Sequence, residues 1–213
     1  MTPVSSAPTR TRILDAAFEL FWLQGYEGTS IAEILDKAGI NAGSLYNLFP
    51  SKEAVLLAVL DRCIDQLYPE VMEPAFAKSS DPIDRIFLVL EGYRRGLQIT
   101  ECTGGCPIGN LSIEVGDHIP AAREKIWLNF ENWRKWILLC LEEAGERLPA
   151  TLNRDQMATF ILTVMEGGVM QARASASLAP FDACIAQLRA YFDILLNAAK
   201  SNAADSPTTK GQS

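Results

Sequence analysis

The sequence predicts an all-α protein, and three observations carry that reading. Apolar residues recur at helical spacing: Ile13, Ala17, Leu20 and Phe21 follow i, i+4, i+7 and i+8, which lays one stripe along a helix. No stretch alternates apolar and polar residues at period two as a half-buried strand would. Glycine and proline then punctuate the chain at Gly25, Gly39, Pro50, residues 69–74, 79–82, 103–107, 116–120 and 145–149, and near Pro180, giving about nine helices. At 213 residues and 48% hydrophobic, the chain has enough apolar surface for one substantial core and a small satellite domain.

The first three helices are short and end at Phe49, and the later ones are long, notably about 121–146, 153–177 and 181–199. This mismatch divides the chain into an N-terminal unit, residues 9–53, and a C-terminal helical bundle, residues 54–200. The polar ends, 1–8 and 201–213, read as disordered tails. A helix from Ser51 to about Tyr68, with Ser51 as N-cap and Glu53 in its first turn, leaves the first unit and enters the second.

Residues 29–53 read TSIAEILDKAGINAGSLYNLFPSKE, a helix-turn-helix pattern in which each piece has a geometric reason. Ser30 and Glu33 have the spacing of a capping box, and Gly39 suits the left-handed stop that ends the helix. Asn41 can cap the next helix, whose first turn, Ala42, Gly43 and Ser44, is small enough for the backbone to approach base edges. Leu45 and Phe49 share a face and should pack on Ile31, Ile34 and Leu35. Tyr46 and Asn47 point outward, toward phosphate and base. Packing alone would not ask for Gly43 inside a helix, where glycine costs about 1 kcal/mol against alanine.

This stretch resembles the TetR family of bacterial transcriptional regulators, in the Thr29 before the second helix, the turn Ala38-Gly39, the core Gly43-Ser44-Leu45-Tyr46 and the boundary Phe49-Pro50-Ser51-Lys52-Glu53. The likeness extends upstream through Arg12-Ile13-Leu14-Asp15-Ala16-Ala17 and Gly25-Tyr26. It implies that Thr29, Tyr46 and Lys52 hold phosphates, while Asn41, Ala42, Gly43, Ser44 and Asn47 meet the major groove of a double-stranded operator. Leu48 stands where many members carry a histidine, which removes one expected phosphate contact. The first 53 residues hold Arg10, Arg12, Lys37 and Lys52 against six acids, so a shallow salt dependence is expected.

In the C-terminal half, Met157, Phe160, Ile161, Val164, Met165 and Gly168 share one helical face, and Ile185, Leu188, Phe192 and Leu195 another. The resemblance implies a homodimer through these two helices, with Phe160, Val164, Met165, Gly168, Leu188, Phe192 and Leu195 at the interface; the alternative is that both stripes face their own subunit's core. Phe130, Trp133 and Ile137 read mainly as core. Trp127, off that stripe, Phe130 and Tyr93 are candidates to line a cavity for a small, mostly apolar effector.

Five cysteines without a C-x-x-C pair fit reduced thiols rather than a disulfide framework or zinc site, and no metal or cofactor is implied. Cys106 follows Gly104 and Gly105 and precedes Pro107 at a helix start, a position that favours thiolate. The Gly-Gly-Cys junction resembles the electrophile-sensing branch of the family, with Cys102 as a resolving thiol; a buried structural cysteine is the plainer alternative.

A formal charge of -7 argues against unselective coating of nucleic acid. The opening residues lack an apolar signal segment and no run approaches the roughly 20 residues that span a bilayer, so a cytoplasmic protein without membrane contact is expected. An enzyme would need Cys106 as nucleophile, His118, the one histidine, as base, and Glu114 or Asp117 to orient it. A helical dimerisation module without DNA binding is the other rival, supported by Leu48 and the acidic N-terminal balance.

Overall fold

The computed structural model describes residues 8–204, and every described element is helical. Helix α1 (Thr9–Gln24) packs on α2 (Ile31–Ala38) and α3 (Ala42–Tyr46) to form the N-terminal unit. Ile13, Ala17, Phe21, Ile34 and Leu45 are fully enclosed there, and Leu20, the remaining member of the predicted α1 stripe, is half-buried against the core. Each boundary has a local cause. Ser30 and Glu33 form both bonds of the capping box, Gly39 takes the left-handed conformation at φ 63° and ψ 43°, and Asn41 Oδ1 accepts the Ser44 N–H at 2.8 Å.

Helix α4 (Lys52–Gln66), capped by Ser51, leaves this unit with one side against α1 and another against α8 (Pro120–Glu143). Its apolar face, Val55, Leu56, Val59 and Leu60, is buried, so the core runs without a gap from the N-terminal unit into the bundle. A break was expected at residues 69–74, but the helix continues through a π-helical turn (Leu67–Met72) into α5 (Glu73–Lys78). The wider i→i+5 turn falls where Pro69 and then Pro74 can donate no backbone hydrogen bond.

Helix α6 (Pro82–Ile99) and α8 form the centre of the body, with α7 (Pro107–Val115) bridging from α8 to α1. Asn129, 2% exposed, donates from Nδ2 to the Leu60 carbonyl at 3.2 Å, a buried polar rivet between α8 and α4. The outer layer is α9 (Arg154–Ser175) packed along α10 (Ala179–Ala204). Residues 201–204, expected in a tail, extend α10; the remainder of the expected tails, 1–7 and 205–213, lies outside the described residues. Counting α4 to α5 as one continuous rod, the described chain has nine helical rods. No helix among the described residues is long and apolar enough to cross a membrane.

Candidate DNA-reading face and effector cavity

The start of α3 is an open, small-residue surface. Asn41, Ala42, Gly43, Tyr46 and Asn47 are exposed and Ser44 is half-buried, while Leu45 and Phe49 anchor the helix from beneath at 0% and 4% exposure. The Asn41 carboxamide oxygen serves the Ser44 amide and hydroxyl, which leaves its NH2 to face outward. Leu48, also exposed, offers no polar group beside Asn47.

Two of the residues expected to hold phosphates are otherwise engaged. Thr29 is 1% exposed and its hydroxyl donates to the Gly25 carbonyl at 2.7 Å. This corrects the phosphate expectation for its side chain: Thr29 braces the corner between α1 and α2. The Lys52 ammonium donates to the carbonyls of Tyr26 and Thr29 at 2.8 and 3.0 Å, 4.1 Å from the centre of the Tyr26 ring. Two of its three donors therefore staple α4 to that corner, and one direction remains for an external anion. Lys37 pairs with Glu19 at 2.7 Å, so little uncommitted positive charge faces outward.

The same corner is held from the far side of the sequence. Glu114 of α7 accepts the backbone N–H of Tyr26 at 2.8 Å and of Glu27 at 2.6 Å. The approach needs glycine at position 25: its φ is 82°, and a Cβ there would stand 2.8 Å from both Glu114 oxygens. One turn earlier, Trp22 Nε1 donates to the Gly105 carbonyl at 2.9 Å, and its ring lies where a side chain at Gly104 would be, 2.6 Å from the ideal Cβ. Trp22 was not marked in the sequence, and Glu114 entered only as a candidate orienting residue of the enzyme alternative. The only sequence signal was the pair Gly104 and Gly105, which reads as a helix break rather than as the seat of a tryptophan.

Between α1, the rod from α4 to α5, α6 and the start of α7 lies a cavity of about 360 Å³, mostly apolar, walled by Phe18, Trp22, Val71, Leu88, Tyr93 and Pro107. Its size falls within the about 300–1,000 Å³ of small-molecule sites. Tyr93 lies in this lining, its ring edge-on to Trp133 at 5.3 Å. Trp127 is not: it is 61% exposed on α8, a correction to its assignment, because it sits on the face of α8 turned from the core. Phe130 packs half-buried against the core.

Cys106 caps α7, its sulfur accepting the Gly109 N–H at 3.4 Å, but it is 3% exposed. Burial first, then the nearby Glu166 carboxylate, pushes its thiol well above the ordinary range. The expected thiolate is therefore corrected to a protonated thiol: desolvation outweighs the helix terminus. Glu166 of α9 is itself raised by burial, with one carboxyl oxygen lacking a partner, and burial also lifts the Tyr93 phenol. Cys102 is buried in the connection after α6 at a left-handed φ of 61°. All five cysteines are free.

On the outer layer, the predicted interface residues divide. Met165, Leu188 and Phe192 are 1%, 2% and 1% exposed, with Phe192 edge-on to Phe87, so they face their own core. Gly168 sits under the Phe181 ring, which a Cβ would approach to 3.1 Å. Met165 and Phe192 are corrected from interface to core, because α9 and α10 turn their best apolar stripe inward, while Gly168 and Leu188, enclosed within the subunit, also line the floor of the groove between these helices. Leu195 is half-buried against the core. Phe160 and Val164 instead line a shallow, mainly apolar groove along α9 and α10 with Gly167, Cys184 and Tyr191, residues the stripe reading omitted. Phe160 is 47% exposed, and Ile194 of α10, one turn beyond Tyr191, is 62% exposed.

A helix-turn-helix with an open recognition helix, riding on a helical body with its own cavity, defines a DNA-binding transcriptional regulator. Residues 13–59 match the family described as "Bacterial regulatory proteins, tetR family", and residues 82–188 match "Tetracyclin repressor-like, C-terminal domain". The chain belongs to the tetR family. It is 30% identical over 179 residues to the HTH-type transcriptional repressor ComR of Escherichia coli, spanning 79% of this chain and 81% of ComR. To the HTH-type regulator YxaF of Bacillus subtilis it is 29% identical over 166 residues, 78% and 85% of the two chains. Among solved structures, a TetR regulator from Chloroflexus aurantiacus superposes with a TM-score of 0.76 at 30% identity, covering 87% and 94%. The reduced form of Escherichia coli NemR superposes with a TM-score of 0.73 at 25% identity, covering 84% and 95%.

Proposed function

We propose that this regulator is a repressor that sits on a palindromic operator as a homodimer and is released when a small apolar effector fills the cavity beneath α6. The observation that carries the reading is that Phe18 and Trp22 of the DNA-binding unit form one wall of that cavity. The opposite side of the same corner is held by Glu114 and Gly105. A ligand that displaces α7 or the end of α1 therefore moves α3 through hydrogen bonds rather than through a flexible link. A 100-fold loss of DNA affinity needs about 2.7 kcal/mol of preference for the released state, within the range of allosteric couplings.

Two copies pair through the exposed groove of α9 and α10, with Phe160, Val164, Tyr191 and Ile194 supplying the apolar centre. Pairing sets two α3 helices roughly 34–36 Å apart, one turn of duplex, where one short helix alone reads too few base pairs. Ala42, Gly43, Ser44 and Asn47 then meet base edges, with Asn41, Tyr46 and the spare Lys52 donor on the sugar-phosphate backbone. The reading places the protein with its operator in the cytoplasm. Cys106 serves as the cap of α7, not as a sensor.

The test is fluorescence anisotropy of the purified chain on labelled DNA from upstream of its own gene, with light scattering to give the mass. Tight binding by a dimer, weakened in Asn47→Ala more on operator than on random DNA, is the expected result. N-ethylmaleimide should leave it unchanged. A monomer that ignores this DNA would overturn the reading, and release by N-ethylmaleimide lost in Cys106→Ser would restore the thiol sensor.

A further inference from the structure

The cavity is shaped by two missing side chains. Gly92 and Gly96 stand one turn apart on the same face of α6, in the interior of a helix where each costs about 1 kcal/mol against alanine. Packing does not demand them. A Cβ at Gly96 would meet nothing within 4 Å, and one at Gly92 only Arg95 Nη2, at 4.0 Å. Gly104 makes the contrast, since there a neighbouring ring occupies the space. What Gly92 and Gly96 provide is a flat shelf about 6 Å long, four residues at the helical rise. Facing it are the rings of Phe18 and Trp22, 6.2 Å apart and tilted by 32°.

Charge marks one end of the shelf. Arg95 reaches the position over Gly92, and Lys78 stands at the exposed rim with it. Neither forms an ion pair among the described residues, whereas Arg85, Arg94 and Arg147 nearby all do. Glu70 is the one acidic residue of the lining, so the rim carries net positive charge.

We propose that the cavity takes a flat aromatic molecule bearing an acidic group, its ring laid on the Gly92 and Gly96 shelf against Trp22 and its anion against Arg95 and Lys78. The proposal rests on the reading of this cavity as the effector site and adds the chemical class of the effector. A planar ring fits where a Cβ would intrude, and a guanidinium at the edge of an aromatic slot pairs a carboxylate in its own plane.

Calorimetric titration of the full-length chain with 2-naphthoate, its neutral counterpart 2-naphthamide and the cation 2-naphthylmethylammonium tests this. The carboxylate should bind about tenfold or more tighter than the amide. Arg95→Gln should bring the two close to parity. Gly96→Leu, which fills the shelf, should abolish both, with circular dichroism showing that the helical fold is retained. Gly96→Ala, a smaller change into open space, should raise the melting temperature and weaken binding partially, which guards against a misfolded leucine variant. Preference for the amide or the cation, or naphthoate binding untouched by both Gly96 variants, overturns the proposal. Naphthoate that binds in this pattern without loosening DNA would sink the effector reading and leave the site. DNA affinity intact with no naphthoate binding would sink the site and leave the regulator.

Discussion

The corner that presents α3 and the cavity beneath α6 share helix α1 but are held by different kinds of contact. Around α3, the capping bonds span three residues, Ser30 with Glu33, Asn41 with Ser44 and Ser51 with Ala54, while Lys52 reaches farther, to Tyr26 and Thr29. At the cavity, Trp22 bonds a residue 83 positions away, and Tyr26 and Glu27 bond one 88 and 87 away. Local bonds re-form whenever the helix does, so the reading surface is an autonomous shape. Long-range bonds exist only in one arrangement of two elements, so they are where a ligand can exert force. Under the proposed mechanism, the difference separates a part that keeps its shape from a part that shifts.

Gly25→Ala should break that comparison most severely, since it forces a Cβ onto the Glu114 carboxylate and a strained φ at once. A loss of about 3 kcal/mol is expected, a fall of roughly 6–12 °C in melting temperature by circular dichroism. A shift under about 2 °C would show that the corner has slack.

Glu114→Ala should come next. Removing a carboxylate that accepts two backbone donors costs about 2 kcal/mol. More tellingly, the DNA anisotropy of this variant should respond less to effector than the wild type does. Full release with Glu114 absent would mean that coupling runs through another contact.

Glu166→Gln should stabilise by about 1 kcal/mol at neutral pH, because it removes a buried, under-bonded carboxylate. The sign follows from the raised pKa of Glu166. Its contribution is fully present below the unfolded value, about 4.3, and is lost as pH rises through the higher folded value. The melting-temperature advantage of the glutamine should therefore widen as the pH rises above about 4. A constant gap would place its origin in packing.

Trp127→Ala should do least, within about 0.5 kcal/mol, because an exposed ring on α8 buries little. Trp22→Ala, by contrast, should abolish ligand-dependent quenching of tryptophan fluorescence. Equal effects from the two would erase the distinction between wall and surface.

What the sequence determined by itself was whatever depends on neighbours within one helical turn. The capping box at Ser30, the left-handed Gly39, the Asn41 cap, the small first turn of α3 and the Ser51 start of α4 were all legible, and with them the family. Tertiary structure alone decided which face of a helix meets which partner. The stripes of α9 and α10 announced buried faces but not whose core they enter, and Met165 and Phe192 went inward while Phe160 and Val164 line an open groove. It decided that Cys106, whose helix terminus favours thiolate, is instead desolvated beside Glu166. It also decided that Gly92 and Gly96 leave a shelf rather than a close contact. Hydrogen bonds at three- and four-residue spacing are fixed by the order of the chain, whereas burial depends on surfaces brought together from tens of residues apart.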